Sequence, residues 1–190
     1  MKRHGSDRSA GSLEIERVVL VGFMGAGKTT VGAALARLLG WAFRDMDGEI
    51  EAQTGQSVAE IFARRGEAFF REEERRAALN LGVLRRAVVA AGGGAFAAPA
   101  TREALRKGSV VVWLRADLDT LLSRIRPDGS RPLAANRERM ARLFAQRESS
   151  YRQADVTVDA SGAGPEEVAR RIATAVFPDG APGGVEDVEG

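Results

Sequence analysis

The segment Gly22-Phe23-Met24-Gly25-Ala26-Gly27-Lys28-Thr29 constrains this chain more than any other stretch of its sequence. Its spacing is G-x-x-x-x-G-K-[S/T], the pattern of a loop that wraps phosphate. Glycines let successive backbone N–H groups turn toward one point, and a helix starting near Lys28 adds the positive end of its dipole. Lys28 is placed to reach the β- and γ-phosphates of a nucleotide, and the Thr29 hydroxyl to coordinate Mg²⁺. The flanks are those the motif requires. Residues 17–22 (RVVLVG) read as a short buried strand, and residues 28–39 as a helix with Val31, Leu35, Leu38 and Leu39 on one face. Basic-residue usage sharpens the point. Only Lys2, Lys28 and Lys107 are lysine among 28 basic side chains, so a chain built on arginine keeps a compact ammonium at position 28.

Short apolar runs alternate with helical patterns beyond that motif. Strands are expected at 42–44, 87–91, 109–114 and 156–158. Helices are expected from Ser57, whose capping-box spacing with Glu60 marks a start, and over 67–86, 99–106, 137–150 and 165–176. Asp117 is placed to cap a further helix. Such alternation implies an α/β fold, a parallel sheet covered on both faces. The 190 residues suit one domain, expected over 15–177, with polar disordered tails at 1–14 and 178–190. Residues 126–136 hold Pro127, Gly129 and Pro132 without periodicity and are expected to form a mobile loop.

Charge and composition exclude several functions. A formal net charge of +2 argues against nucleic acid or membrane as the main partner. With no cysteine and a single histidine, His4 in the N-terminal tail, neither a thiolate metal site nor a Ser/His triad is expected. No apolar run reaches the length of a membrane helix and no signal segment follows Met1, so a cytoplasmic protein is expected.

Phosphate-binding loops serve GTPases, motors and small-molecule kinases alike, so other residues must decide the acceptor. Asp45 and Asp47 follow the second strand. Two apart on a strand, both carboxylates can face the sheet's C-terminal edge, one toward Mg²⁺ through water and one as proton acceptor. Taken alone, the pair also reads as a solvated turn. Arg71 lies among acids at helical spacing, and read alone it belongs to a solvated face. Gly92-Gly93-Gly94 ends the third strand and permits close approach of a ligand to backbone donors, or simply a flexible connection. Arg131 sits in the mobile loop, where a lid arginine can neutralise a transferring phosphate; a solvated basic loop is the plainer reading.

Taken together, GFMGAGKTT at 22–30, DMD at 45–47, GEAFFREEE at 66–74, GGG at 92–94, RPL at 131–133 and the stretch ending in Arg147 and Tyr151 resemble shikimate kinase in order and spacing, from about Val18 to Phe177. The resemblance implies a three-layer P-loop fold, with a five-stranded parallel sheet of order 2-3-1-4-5 flanked by helices and a mobile lid at about 124–136. It implies a monomer that takes ATP as co-substrate with Mg²⁺ and phosphorylates the 3-hydroxyl of shikimate. By likeness, Gly25, Ala26, Gly27, Lys28, Thr29 and Thr30 hold the phosphates, Arg131 joins them from the lid, and Arg124 borders the adenine. Asp47 orients the acceptor and is the candidate base, Arg71 and Arg147 grip its carboxylate, and Gly92, Gly93 and Gly94 lie along its ring. Thr29, and Asp45 through water, hold the metal. One departure stands out. The loop Ser161-Gly162-Ala163-Gly164 lacks the basic residue often found near the adenine. The third strand ends in glycine without the usual metal-binding acid, a feature the family shares. The alternatives are a kinase for gluconate or a cyclitol on the same scaffold, and a nucleotide-binding module without turnover.

Overall fold

The computed structural model describes residues 15–125 and 137–180. The expected N-terminal tail, nearly all of the lid including Arg131, and the chain beyond Gly180 lie outside the described residues; Pro178–Gly180 form a turn after the last helix. Five strands, β1 (Arg17–Val21), β2 (Ala42–Asp45), β3 (Ala87–Ala90), β4 (Ser109–Arg115) and β5 (Val156–Asp159), make one sheet of order β2-β3-β1-β4-β5. Every neighbouring pair is parallel. The helices are α1 (Lys28–Leu39), α2 (Met46–Thr54), α3 (Val58–Leu81), α4 (Pro99–Arg106), α5 (Leu118–Arg124), α6 (Arg137–Tyr151) and α7 (Pro165–Val176).

The central position of β1 follows from its composition. Val18, Val19, Leu20 and Val21 are all buried, as a strand covered by helices on both faces requires. Each such side chain contributes about 1.5–3 kcal/mol by leaving water. Arg17, at the start of β1, is also buried, and its guanidinium donates to Ser109 Oγ and to the carbonyls of Leu84 and Lys107. The arginine thus ties the end of the sheet remote from the phosphate loop.

Local signals place most helix ends. Ser57 Oγ accepts from Glu60 N–H while Ser57 N–H donates to Glu60 Oε2 at 2.9 Å, the reciprocal cap expected from the sequence. Asp117 caps α5 through Thr120 N–H at 2.8 Å. The two helices expected on either side of Gly66 run on as α3 with a sharp kink, since Gly66 takes φ 80° and ψ 174°. Phe62 and Phe70 meet across the kink with ring centroids 4.8 Å apart. The second of these helices ends at Leu81 and not at Arg86, because the chain turns through Gly82 to bring Ala87 onto the sheet. On α1 the buried stripe runs through Val31, Ala34, Leu35, Ala36 and Leu39; Leu38 falls past its margin and is 43% exposed, contrary to expectation.

Candidate active site

Three strand ends converge on one cleft. The phosphate loop leaves β1, Asp45 ends β2, and Gly92-Gly93-Gly94 leaves β3, all at the C-terminal edge where open parallel sheets take ligands. The facing wall carries Val58, Phe62, Phe70, Arg71 and Glu74 of α3 and Arg147 of α6, and the cavity measures about 810 Å³.

The loop has the shape its glycines allow. Gly22, Gly25 and Gly27 all take positive φ. At Gly25 space is closed as well, since a Cβ would stand 2.5 Å from the Leu121 carbonyl oxygen. The Lys28 ammonium donates to the Gly22 and Phe23 carbonyls at 2.8 and 3.0 Å, so it lies over the mouth of the loop. The Thr30 hydroxyl donates to Gly27 O at 3.0 Å and braces the turn. The Thr29 hydroxyl donates to Asp45 Oδ2 at 2.7 Å, which joins the two residues expected at the metal.

The two aspartates reach the cleft by a route different from the expected one. Asp45 is the last residue of β2 and the N-cap of α2, its Oδ1 accepting from Asp47 N–H at 3.1 Å. Asp47 lies in the first turn of α2 and not on a strand. An aspartate at a strand end meets the orphan N–H groups of a helix start, and that local bond outweighs continuation of the strand. Both carboxylates still line the cavity. Asp47 lies so close to Gly92 that a Cβ there would be 2.7 Å from Asp47 Oδ1 and 3.2 Å from Glu74 Oε1.

The glycine run and the arginines fit one another. A Cβ on Gly94 would stand 2.8 Å from Arg71 Nη1 and 3.2 Å from Arg147 Nη2, so two guanidiniums converge on one point of the backbone. Arg71 is half-buried and pairs with Glu74 at 2.7 Å and with Glu67 at 3.1 Å. Burial works against its charge, but Glu74 and Glu67 more than offset that and raise its pKa. The Glu74 side chain is 1% exposed. Burial pushes its pKa up against the pull of Arg71, Asp47 pushes it further, and Arg147 opposes. Arg147 stacks over Phe23 of the phosphate loop, 5.9 Å from guanidinium carbon to ring centre.

Beside the loop a second cavity, of about 180 Å³, is lined by Ala26, Gly27, Thr30, Arg124, Ala163 and Pro165 among others. The exposed Arg124 donates to the Ala160 carbonyl at 2.9 Å across its mouth. Every expected site residue other than Arg131 therefore lies on one of two adjoining cavities.

Glu74 was not among the residues singled out by sequence, though a signal for it exists. Phe70, Glu73, Glu74, Ala77, Ala78 and Leu81 form one buried stripe of α3, so the last two of three consecutive glutamates fall in a core register while Glu72 does not. Tyr151, fully buried, likewise belongs to the pattern without an assigned role.

A phosphate loop opening onto a cleft with carboxylates and paired guanidiniums defines a P-loop kinase for a small anionic acceptor. The family model described as shikimate kinase matches residues 24–177, and the chain belongs to that family. It is 47% identical over 161 residues to the shikimate kinase of Moorella thermoacetica, covering 84% of this chain and 93% of that protein. It is 46% identical over 170 residues to that of Gloeobacter violaceus, covering 86% and 96%. The shikimate kinase of Acinetobacter baumannii in complex with shikimate superposes with a TM-score of 0.84 at 35% identity, covering 87% and 95%. A deoxyadenosine kinase of M. mycoides, at 16% identity and a TM-score of 0.60, shares the fold. The chain is thus an ATP-dependent phosphotransferase acting on a shikimate hydroxyl.

Proposed function

We propose that the cleft transfers the γ-phosphate of ATP to the 3-hydroxyl of shikimate, giving shikimate 3-phosphate and ADP, with the residues above in separate roles. The convergence of Arg71 and Arg147 on Gly94, in the same cavity as Asp47 and the phosphate loop, is the observation that carries this reading. Two guanidiniums meeting at one point suit a carboxylate, which they can hold by paired hydrogen bonds. Asp47 then accepts the proton of the attacking hydroxyl, whose oxygen bonds to the γ-phosphorus as the bond to the β-phosphate oxygen breaks. Lys28 and the loop N–H groups stabilise the charge on the transferring group. Arg131, assigned on sequence likeness, joins them on the phosphates. Gly92, Gly93 and Gly94 let the acceptor ring approach the backbone, and Glu74 holds Arg71 in place. The adenine is assigned to the smaller cavity beside Arg124, where the Ser161–Gly164 loop offers small side chains in place of a basic one.

Thr29 and Asp45 fit Mg²⁺. Their hydroxyl and carboxylate are hard oxygen donors already within 2.7 Å of each other on the cleft wall. Among the described residues no group of three or more His, Cys, Asp or Glu could hold a metal alone, and a Mg²⁺ carried largely by phosphates and water needs no such cage. When bound, the ion neutralises β- and γ-phosphate charge. A cytoplasmic monomer is part of the same reading; among the described residues no helix is long and apolar enough to cross a membrane.

Substitution at Arg71 tests the acceptor placement. Arg71→Lys keeps the charge and loses the fork, so the KM for shikimate is expected to rise about tenfold or more. The KM for ATP is expected to stay within about twofold, and kcat to fall modestly because remote binding energy also orients the hydroxyl. Steady-state kinetics in both substrates checks this. A variant that disturbs ATP and spares shikimate contradicts the placement, and a change within about 0.5 kcal/mol in both marks a solvated surface charge.

A further inference from the structure

Tyr151 ends α6, one turn after Arg147, and its ring is fully buried against Trp113 of β4 with centroids 6.1 Å apart. A phenylalanine would fill that space, and the chain holds eight of them against this single tyrosine. A buried hydroxyl costs stability unless it is hydrogen-bonded, so its partners identify its use. The hydroxyl donates to the carbonyl oxygen of Gly93, and the Arg147 guanidinium lies near enough to favour the charged phenolate. Gly93 and Arg147 also face each other directly, since a Cβ on Gly93 would lie 3.4 Å from Arg147 Nη1. The other side of Arg147 rests on Phe23, which stacks edge-on with Phe144 of the same helix at 5.4 Å.

We infer that the Tyr151 hydroxyl is a positioning group for the acceptor: it joins the Gly93 peptide to the Arg147 guanidinium and so fixes the direction from which Arg147 meets the substrate carboxylate. This rests on the assignment of Arg147 to that carboxylate. Long arginine side chains lose much rotamer freedom when they hold one geometry. A neutral acceptor on the helix that carries Arg147, itself tied to the substrate loop, sets that geometry before substrate arrives. A phenol suits the task over a carboxylate because it directs the guanidinium without pairing its charge. Burial also pushes the Tyr151 pKa up to about 12, so the hydroxyl keeps its proton for Gly93 throughout the working pH range.

Tyr151→Phe, Arg147→Ala and the double variant test the inference. Phenylalanine keeps the ring and its packing, so the fold is retained and saturation by ATP serves as the internal control. Tyr151→Phe is expected to raise the KM for shikimate about five- to tenfold, with kcat and the KM for ATP changed by less than about twofold. In the Arg147→Ala background the same substitution is expected to add less than about twofold, since a group acting through Arg147 has nothing left to position. An unchanged KM for shikimate with a lowered Tm overturns the inference and leaves Tyr151 as a fastening between α6 and the glycine loop. Equal rises in both KM values, or a full effect in the Arg147→Ala background, also overturn it. Should Arg147→Ala alone leave the KM for shikimate unchanged, the acceptor assignment itself falls, which is a different result from failure of Tyr151→Phe with Arg147→Ala impaired.

Discussion

Lys28→Met is expected to cut turnover by about a hundred- to a thousandfold or more while the protein still folds. The ammonium reaches over the loop mouth to the Gly22 and Phe23 carbonyls, which on the proposed reading is where nucleotide phosphates meet the loop N–H groups. Removing it takes away a point charge from the place where negative charge moves during transfer. It removes little from the core, which is built from β1, β3, β4 and the inner faces of α1 and α7. Methionine is unbranched and only one atom shorter than lysine, and it remains compatible with a helix start. An unchanged Tm with kcat nearly abolished is therefore the expected pair of results. Near-normal kcat in a folded variant contradicts the assignment of this loop to the transferring phosphates.

Asp47→Asn is the second large effect. It preserves shape and removes the proposed base. Catalysis by a positioned acid or base contributes about a hundred- to ten-thousandfold, and kcat is expected to fall within that range. Saturation by ATP is expected to stay near normal, because Asp47 lies against Gly92 and Glu74 at the acceptor end of the cleft. An asparagine amide beside the buried Glu74 carboxylate can donate to it, so the fold tolerates the change. Pre-steady-state and steady-state rates at saturating substrates check this. A kcat within about twofold of wild type would show Asp47 to be only a favourable charge in the first turn of α2.

The phosphate loop was legible because its chemistry is carried by backbone and spacing. A glycine that must take positive φ, a lysine and a hydroxyl at fixed offsets leave few other readings. The alternation of strands and helices gave the layered sheet for a similar reason, and Ser57, Pro99 and Asp117 marked helix starts through bonds only a few residues long. Sheet order was not in the periodicity; it came from likeness to a family, and the strand pairing bears it out. Where tertiary contact decides, local reading failed. Asp47 reads at strand spacing from Asp45 because α2 has almost no amphipathic signal, with only Met46 and Ile50 buried. Leu38 was placed inside because α1 is apolar around more of its girth than its neighbours cover. Arg71 looked like a solvated charge because the acid that buries with it, Glu74, stands in a run of three identical residues. The phase of α3 sets Glu72 apart from the other two, and the 2.7 Å pair with Arg71 sets Glu74 apart from Glu73. Tyr151 acts across 58 residues of sequence, on Gly93, and no local pattern reports such a contact.

Release of ADP, measured with ATP and Mg²⁺ in the presence and absence of shikimate, tests the account most directly. A panel of other hydroxylated acids, gluconate among them, and neutral cyclitols runs alongside. The cleft described here predicts ADP formation that depends on shikimate and is lost on chelation of Mg²⁺, with the neutral cyclitols inactive because nothing engages Arg71 and Arg147. Equal ADP release with and without shikimate, or faster turnover of gluconate, would contradict it.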